Sequence, residues 1–364
     1  MKADDKKYQI ALTLVEGVGD VIGKKLLSHL GSAKAVFLAT KEQLLKIDGI
    51  GKILIETILN TNVLARAEKE LKWMEKNNIQ HLFYGDKNYP NRLKQCIDAP
   101  LNLFYKGEID WENDEFISIV GTRKASSFGK QFTENLIKEL SIFDPVIVSG
   151  LAYGIDIAAH KAALKFGLRN VAVFAHGLDR IYPNSHAKYA NQIVGNGCLL
   201  TEFLSETISA KQNFPKRNRI IAGLSDATIV IESAKKGGSL ITADIANSYD
   251  REVFAVPGTP NNLNAKGCNY LIKSQQAILL ENAEDFVKAM NWDVKEQVSQ
   301  QQLAVDLSEN EQEIVSLLSL NQLHIDTIVE KLGWSFSKVA NELLQAEFKG
   351  LITSLPGKIY KKNI

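Results

Sequence analysis

Four places in the sequence end an apolar run with glycine, hydroxyl-bearing or charged residues, the types that can hold an anion. They are Gly121, Thr122 and Arg123; Ser149 and Gly150 running through Gly154 to Asp156; His176 with Gly177; and Glu232 through Gly237 and Gly238 to Ser239 and Thr242. Glycine lets a ligand approach the main chain, Ser and Thr open helices, and the bare amides of a helix start favour negative charge. The segment "KQNFPKRNR" adds Lys211, Lys216, Arg217 and Arg219, flanks Asn218, and contains no acid. Arginine can grip a phosphate with two parallel hydrogen bonds. Phe214 beside it offers a face for a base, and stacking of that kind contributes about 1–3 kcal/mol per base in single-strand binders. Phosphate contact together with aromatic stacking is the chemistry of an unpaired strand. The structural alternative is that Arg217 or Arg219 pairs with Asp226 or Glu232 and pins the fold.

Other chemistries fit the spacing poorly. A dinucleotide fingerprint needs GxGxxG, but after Gly121 the next glycine is Gly129; a Walker loop needs Ser or Thr after Gly-Lys, but Gln131 follows Lys130. Ser149, Asp156 and His160 lie close together, yet Asp156 and His160 fall one turn apart on a helix and Ser149 lacks a GxSxG elbow. His29, His81 and His324 stand singly, so no metal is expected, and no cofactor. Trp73, Trp111, Trp292 and Trp334 are scattered as packing residues.

The elements that must position these residues follow from pattern. "FISIVG", "PVIVSG", "VAVFAHG", "ATIVIES" and "VFAVPG" are uninterrupted apolar runs separated by helix-like stretches, which is the signature of a parallel sheet covered on both faces. A Rossmann-like, doubly wound, mostly parallel α/β domain is expected over 81–294, with its ligand beyond the carboxyl ends of the strands. Residues 1–80 read as a helical domain of helix-hairpin-helix or SAM-like type. Its two Gly-x-Gly turns, Gly17/Gly19 and Gly49/Gly51, either hold a nucleic-acid backbone or serve packing, and Glu16, Asp20 and Asp48 crowd them. Polar, glutamine-rich 295–307 reads as a linker. Ser308 with Glu311 then makes a capping box, and 308–364 reads as a winged helix whose hairpin turns at Pro356 and Gly357.

Composition sets bounds. With 43 Lys and Arg against 42 Asp and Glu, the balance argues against a uniformly basic nucleic-acid coat, and any attraction must come from a local patch. No run approaches the roughly 18 apolar residues of a membrane span. Three cysteines far apart give no disulfide framework. A soluble protein in a reducing cytoplasm, without a membrane partner, is the expectation.

The motifs "SIVGTRKAS", "VSGLAYGIDIAAHKAAL", "LDRIYPNSHAKYANQI", "NFPKRNRIIAGLSDATIVIESAKKGGSLITADIA", "REVFAVPG" and "GCNYLIKSQQAIL" stand in an order that resembles the DNA-processing protein A (DprA, or Smf) family. The resemblance is strong over about 82–290 and looser at either end. It implies a bacterial cytoplasmic protein that binds single-stranded DNA during natural transformation, shields the incoming strand, loads a RecA-type recombinase, acts as a homodimer and does no covalent chemistry. Carried over by motif, its DNA-binding residues are Arg123 of "GTR", then Phe214, Lys216, Arg217, Asn218 and Arg219, and the turn at Gly238, Ser239 and Thr242. Gly237 stands where many members have serine, so one hydroxyl donor is missing. Lys338 and Lys349 in the winged helix are offset by Glu342 and Glu347, which suits an accessory or protein-contact module. The rival is a nucleotide-processing enzyme that cleaves nucleoside monophosphates, but "VPGTPNN" lacks that group's second glycine and catalytic glutamate.

Overall fold

The computed structural model describes residues 3–112, 115–292, 308–318, 323–349, 351–355 and 358–362. Two compact units emerge, Met1–Val294 and Lys295–Ile364. The first begins with helices α1 (Ala3–Leu12), α2 (Asp20–Leu30), α3 (Ala33–Leu38), α4 (Lys41–Leu45), α5 (Lys52–Asn60) and α6 (Leu64–Asn77). Ser32 and Thr40 cap α3 and α4 by accepting first-turn amides, and Gly17 and Gly49 take the positive φ that their tight turns need.

The sheet follows. Its strands are β1 (Gln80–Phe83), β2 (Asn102–Gly107), β3 (Phe116–Val120), β4 (Val146–Ser149), β5 (Asn170–Val173), β6 (Gly197–Thr201), β7 (Ala227–Val230), β8 (Glu252–Ala255) and β9 (Ile278–Leu279). Helices α7 (Asn91–Lys94), α8 (Ser127–Leu140), α9 (Ile155–Lys165), α10 (Ala187–Val194), α11 (Asn213–Leu224), α12 (Gly238–Ser248), α13 (Lys266–Lys273) and α14 (Ala283–Ala289) are interleaved. The strand order is β1-β2-β6-β5-β4-β3-β7-β8-β9, parallel from β6 to β9, with β1 and β2 added antiparallel at one edge. Each of β3 to β7 is buried along its whole length, because helices cover both faces. Leu136, Ile137 and Leu140 of α8 and Ala159 and Ala163 of α9 fill one face; Ile220 and Ile221 of α11 and Ala243 and Ala246 of α12 fill the other.

The amino-terminal helices do not stand apart from the sheet. Phe83 and Leu101 join the core of α2, α3 and α5, and a Cβ on Gly23 of α2 would overlap the Leu101 side chain. Asp20, in the first turn of α2, accepts the Leu101 amide at 2.9 Å. At the first Gly-x-Gly turn the helix start is therefore turned toward the sheet.

The second unit comprises α15 (Glu309–Leu317), β10 (Leu323–His324), α16 (Ile325–Leu332), α17 (Phe336–Phe348), β11 (Ile352–Leu355) and β12 (Ile359–Lys362), with strand order β10-β12-β11, a winged helix. The Ser308–Glu311 capping box is present. The expected linker and the Pro356–Gly357 turn lie outside the described residues. Several charges of α17 and its flank are used internally: Glu347 accepts the Ser354 hydroxyl at 2.7 Å, and Lys349 pairs with Glu311 at 2.7 Å. Among the described residues no helix is long and apolar enough to cross a membrane.

Candidate functional site

β3 pairs with β4 on one side and β7 on the other, so successive connections leave it in opposite directions. A crevice must open beyond its carboxyl end. There the chain builds a cavity of about 250 Å³ from the ends of four elements. Gly121, Thr122 and Arg123 come from the end of β3, Asp156 from the first turn of α9, Phe214, Arg217 and Asn218 from α11, and Gly238, Ser239 and Thr242 from the start of α12. Residues from "GTR" and from "FPKRNR" thus face one space.

The loop that presents Arg123 is braced. The Thr122 amide donates to the Glu232 carbonyl at 2.7 Å, and the Thr122 carbonyl accepts the Ile155 amide at 3.2 Å. The Glu232 carboxylate accepts the amide and hydroxyl of Ser126, the residue that caps α8. Gly154 has φ of +82°, and a Cβ there would overlap the Thr122 carbonyl, so this position requires glycine. Arg123 itself is exposed, its guanidinium 4.9 Å from the Phe214 ring centroid. Among the described residues no carboxylate lies within ion-pair distance of it, which leaves its donors available. Opposite it α12 begins: the Leu240 amide is taken by the Gly237 carbonyl at 3.2 Å, the Gly238 and Ser239 amides before it have no helical acceptor, and a Cβ on Gly238 would meet open space. Ser239 donates its hydroxyl to Ser233 at 2.9 Å, which fixes the turn.

Arg217 lies beneath this surface. Only 5% exposed, it donates through Nη1 to the Gly150 and Val173 carbonyls, both at 2.7 Å, and through Nε to Asn218 at 3.1 Å. Burial pulls its pKa down to about 10, still far above neutrality. A Cβ on Gly150 would overlap the guanidinium, so Gly150 makes room for Arg217 rather than for a ligand. Asp156 accepts the Ala152 amide at 3.4 Å; burial pushes its pKa up, and the charge of Arg217 opposes that.

Several expected site residues are placed elsewhere. Arg219 leaves the pocket and donates to Asp20 at 2.8 Å, to Glu202 and to the Asp98 carbonyl. Lys216 borders a different cavity, with Asp20 and Glu202. Ser149 is fully buried and donates to the Ile119 carbonyl at 2.7 Å. Asp226 pairs with Arg92 at 2.6 Å, so neither Asp226 nor Glu232 is the partner of Arg217 or Arg219. Ala152, Ile221 and Ala234, which supply apolar lining beside Val120 and Phe214, carry no chemical signal in the sequence.

No nucleophile assembles from Ser149, Asp156 and His160. His160 instead bonds Asn170 at 2.9 Å, and burial pushes its pKa down to about 4. Because the unfolded side chain titrates near 6.5, the unfolded chain binds the extra proton first as pH falls, and stability is lost progressively from about 6.5 toward 4. A shift of that size corresponds to about 3 kcal/mol at the acid end. Urea unfolding of the wild type should therefore weaken across this window, and the weakening should be reduced but not abolished in His160→Gln, because buried His81, bonded to Asn102, is pushed down to about 4 in the same way; an unchanged pH dependence would contradict the assignment.

Residues 80–291 match the family described as DNA recombination-mediator protein A, and residues 298–358 match the DprA winged helix domain. Protein Smf of Synechocystis is 30% identical over 397 residues, covering 100% of both chains. The crystal structure of DNA processing protein A from Streptococcus pneumoniae superposes with a TM-score of 0.67 at 32% identity, over 78% of this chain and 97% of that one. DNA processing protein A from Helicobacter pylori, whose structure is described as giving insight into its single-stranded DNA binding mode, gives a TM-score of 0.53 at 30% identity, over 58% of this chain and 95% of that one.

Proposed function

The chain belongs to the DNA recombination-mediator protein A family, and from that premise we propose that it is a cytoplasmic, homodimeric single-stranded-DNA binder. In this reading it protects incoming DNA and loads a RecA-type recombinase during natural transformation. The observation that carries the proposal is the placement of Arg123: exposed, with no carboxylate in reach among the described residues, held over Phe214, and lining one pocket with Gly238 and Ser239 at the start of α12. Such a site takes a phosphate on the guanidinium and helix start, with the aromatic edge beside a base. Action without covalent chemistry is part of the proposal. It is supported by the engagement of Ser149, Asp156 and His160 in separate internal hydrogen bonds, and release of a free base from nucleoside monophosphates would refute it.

The test is a titration of single- and double-stranded oligonucleotides with wild type and Arg123→Ala. A charge-assisted hydrogen bond contributes about 1.5–3 kcal/mol, so single-strand affinity should fall roughly 10- to 100-fold. The salt dependence should lose about 0.7 from its logarithmic slope, one phosphate contact. Stability should stay within about 0.5 kcal/mol of wild type, because Arg123 is exposed. Affinity indifferent to both salt and Arg123 would overturn the reading.

A further inference from the structure

Arg123 borders a second, larger cavity of about 570 Å³ between α8 and α9. Lys124 and Lys130 line one side and Lys161 and Lys165 the other, with Tyr153 at the junction. Among the described residues, Lys124 and Lys130 have no carboxylate partner. Lys161 lies 4.7 Å from the Tyr189 ring centroid, which leaves its charge uncompensated. Lys165 is neutralised by Glu134 at 2.5 Å, and Glu134 is the acid that lines the groove. The groove therefore carries an excess of free cations on a chain whose formal net charge is only +1. Tyr153 is 49% exposed and also borders a small cavity that Arg123 and Phe214 help to line.

We propose that a DNA strand held at Arg123 continues past Tyr153 into the groove between α8 and α9, where Lys124, Lys130 and Lys161 take further phosphates and Tyr153 stacks on a base. The proposal rests on reading the pocket as a single-strand site. Continuity argues for this occupant over an acidic protein surface: Arg123 lines both cavities, and an exposed aromatic ring stands between two sets of cations. Cations that track a backbone, interleaved with aromatic rings, are how strands are held without reading their sequence. A rigid basic groove on helices also suits a strand extended in one direction.

The double variant Lys130→Gln/Lys161→Gln tests this with oligothymidylates of about 4 and about 16 nucleotides, the range of lengths that single-strand sites accommodate. Both lysines are exposed, so the fold should be retained. The long strand should bind roughly tenfold more weakly at low salt, with its slope reduced by about 1.4, two phosphates at 0.7 each. The short strand should be held as in wild type. An equal loss for both lengths, no loss for either, or an equal loss on duplex DNA overturns the extended path. If the wild type holds neither strand, the reading of the pocket fails; if it holds both and the double variant matches it, only the extension fails.

Discussion

Arg217→Ala is expected to lower the stability of the Met1–Val294 unit by about 3–5 kcal/mol, well beyond anything expected from Arg123→Ala. The guanidinium donates to the carbonyls of Gly150 and Val173 in an environment that leaves it 5% exposed. Those carbonyls would lose their donor, at about 1–3 kcal/mol for each buried group left unsatisfied. Asp156 would lose the positive charge that opposes the effect of its burial. Equilibrium unfolding in urea should show a lower midpoint with an unchanged slope. Any loss of DNA affinity should scale with the unfolded fraction and with collapse of the pocket floor, whereas Arg123→Ala should lose affinity while folded. Arg217→Lys should recover only part of the stability, because an ammonium is a point donor and cannot reproduce the planar fork. A variant that unfolds like the wild type would show that Arg217 is not the floor of this site.

The contrast between Arg217 and Arg219 shows what a sequence can and cannot convey. Both belong to "KRNR", which reads naturally as one basic cluster. In a helix, however, residues two apart point about 200° away from each other. Since "NFPKRNRIIAGL" is helical, Arg217 and Arg219 must face opposite ways, and helical period alone is enough to divide the triplet. What period cannot supply is the partners, because Asp20 lies 199 residues from Arg219 in sequence. No local pattern marks so distant an ion pair.

The sheet is legible where its strands are buried on both faces, because a run as short as "FISIV", apolar but for Ser118, is too brief for a buried helix and suits a covered strand. β1 and β2 are not legible. They form an antiparallel edge, and "QHLF" and "NLFYKG" mix polar and apolar residues over a short length. The helical character of the first eighty residues is also legible, but not their shared core with Leu101 and Phe83, since packing between segments leaves no mark on either one. Gly150 and Gly154 illustrate the same limit within the site. Each residue type permits close approach, and each position uses it, but the approaching groups are Arg217 and the Thr122 carbonyl.

Arg219→Ala should be nearly as damaging as the loss of Arg217, but with a pH dependence that identifies its cause. Burial alone pulls the pKa of Arg219 down, yet Glu202 and Asp20 together hold it above the ordinary value, as expected of a cation enclosed by two carboxylates. Glu202 is also buried, which pushes its own pKa up, with Arg219 the main opposing charge. Without Arg219 the Glu202 carboxyl would move further above its unfolded value of about 4.3. Between those two values the native state holds a proton that the unfolded chain has released, so stability falls as pH rises through that window. The loss in Arg219→Ala should therefore be about 3–5 kcal/mol at a pH of about 7.5 and smaller at about 5, measured as the difference from wild type so that the histidine contribution cancels. Adding Glu202→Gln should restore most of the deficit at the higher pH, because a neutral amide removes the uncompensated charge. A deficit equal at both pH values and indifferent to Glu202 would mean that Arg219 acts through packing of its stem rather than through the charges that join α11 to α2.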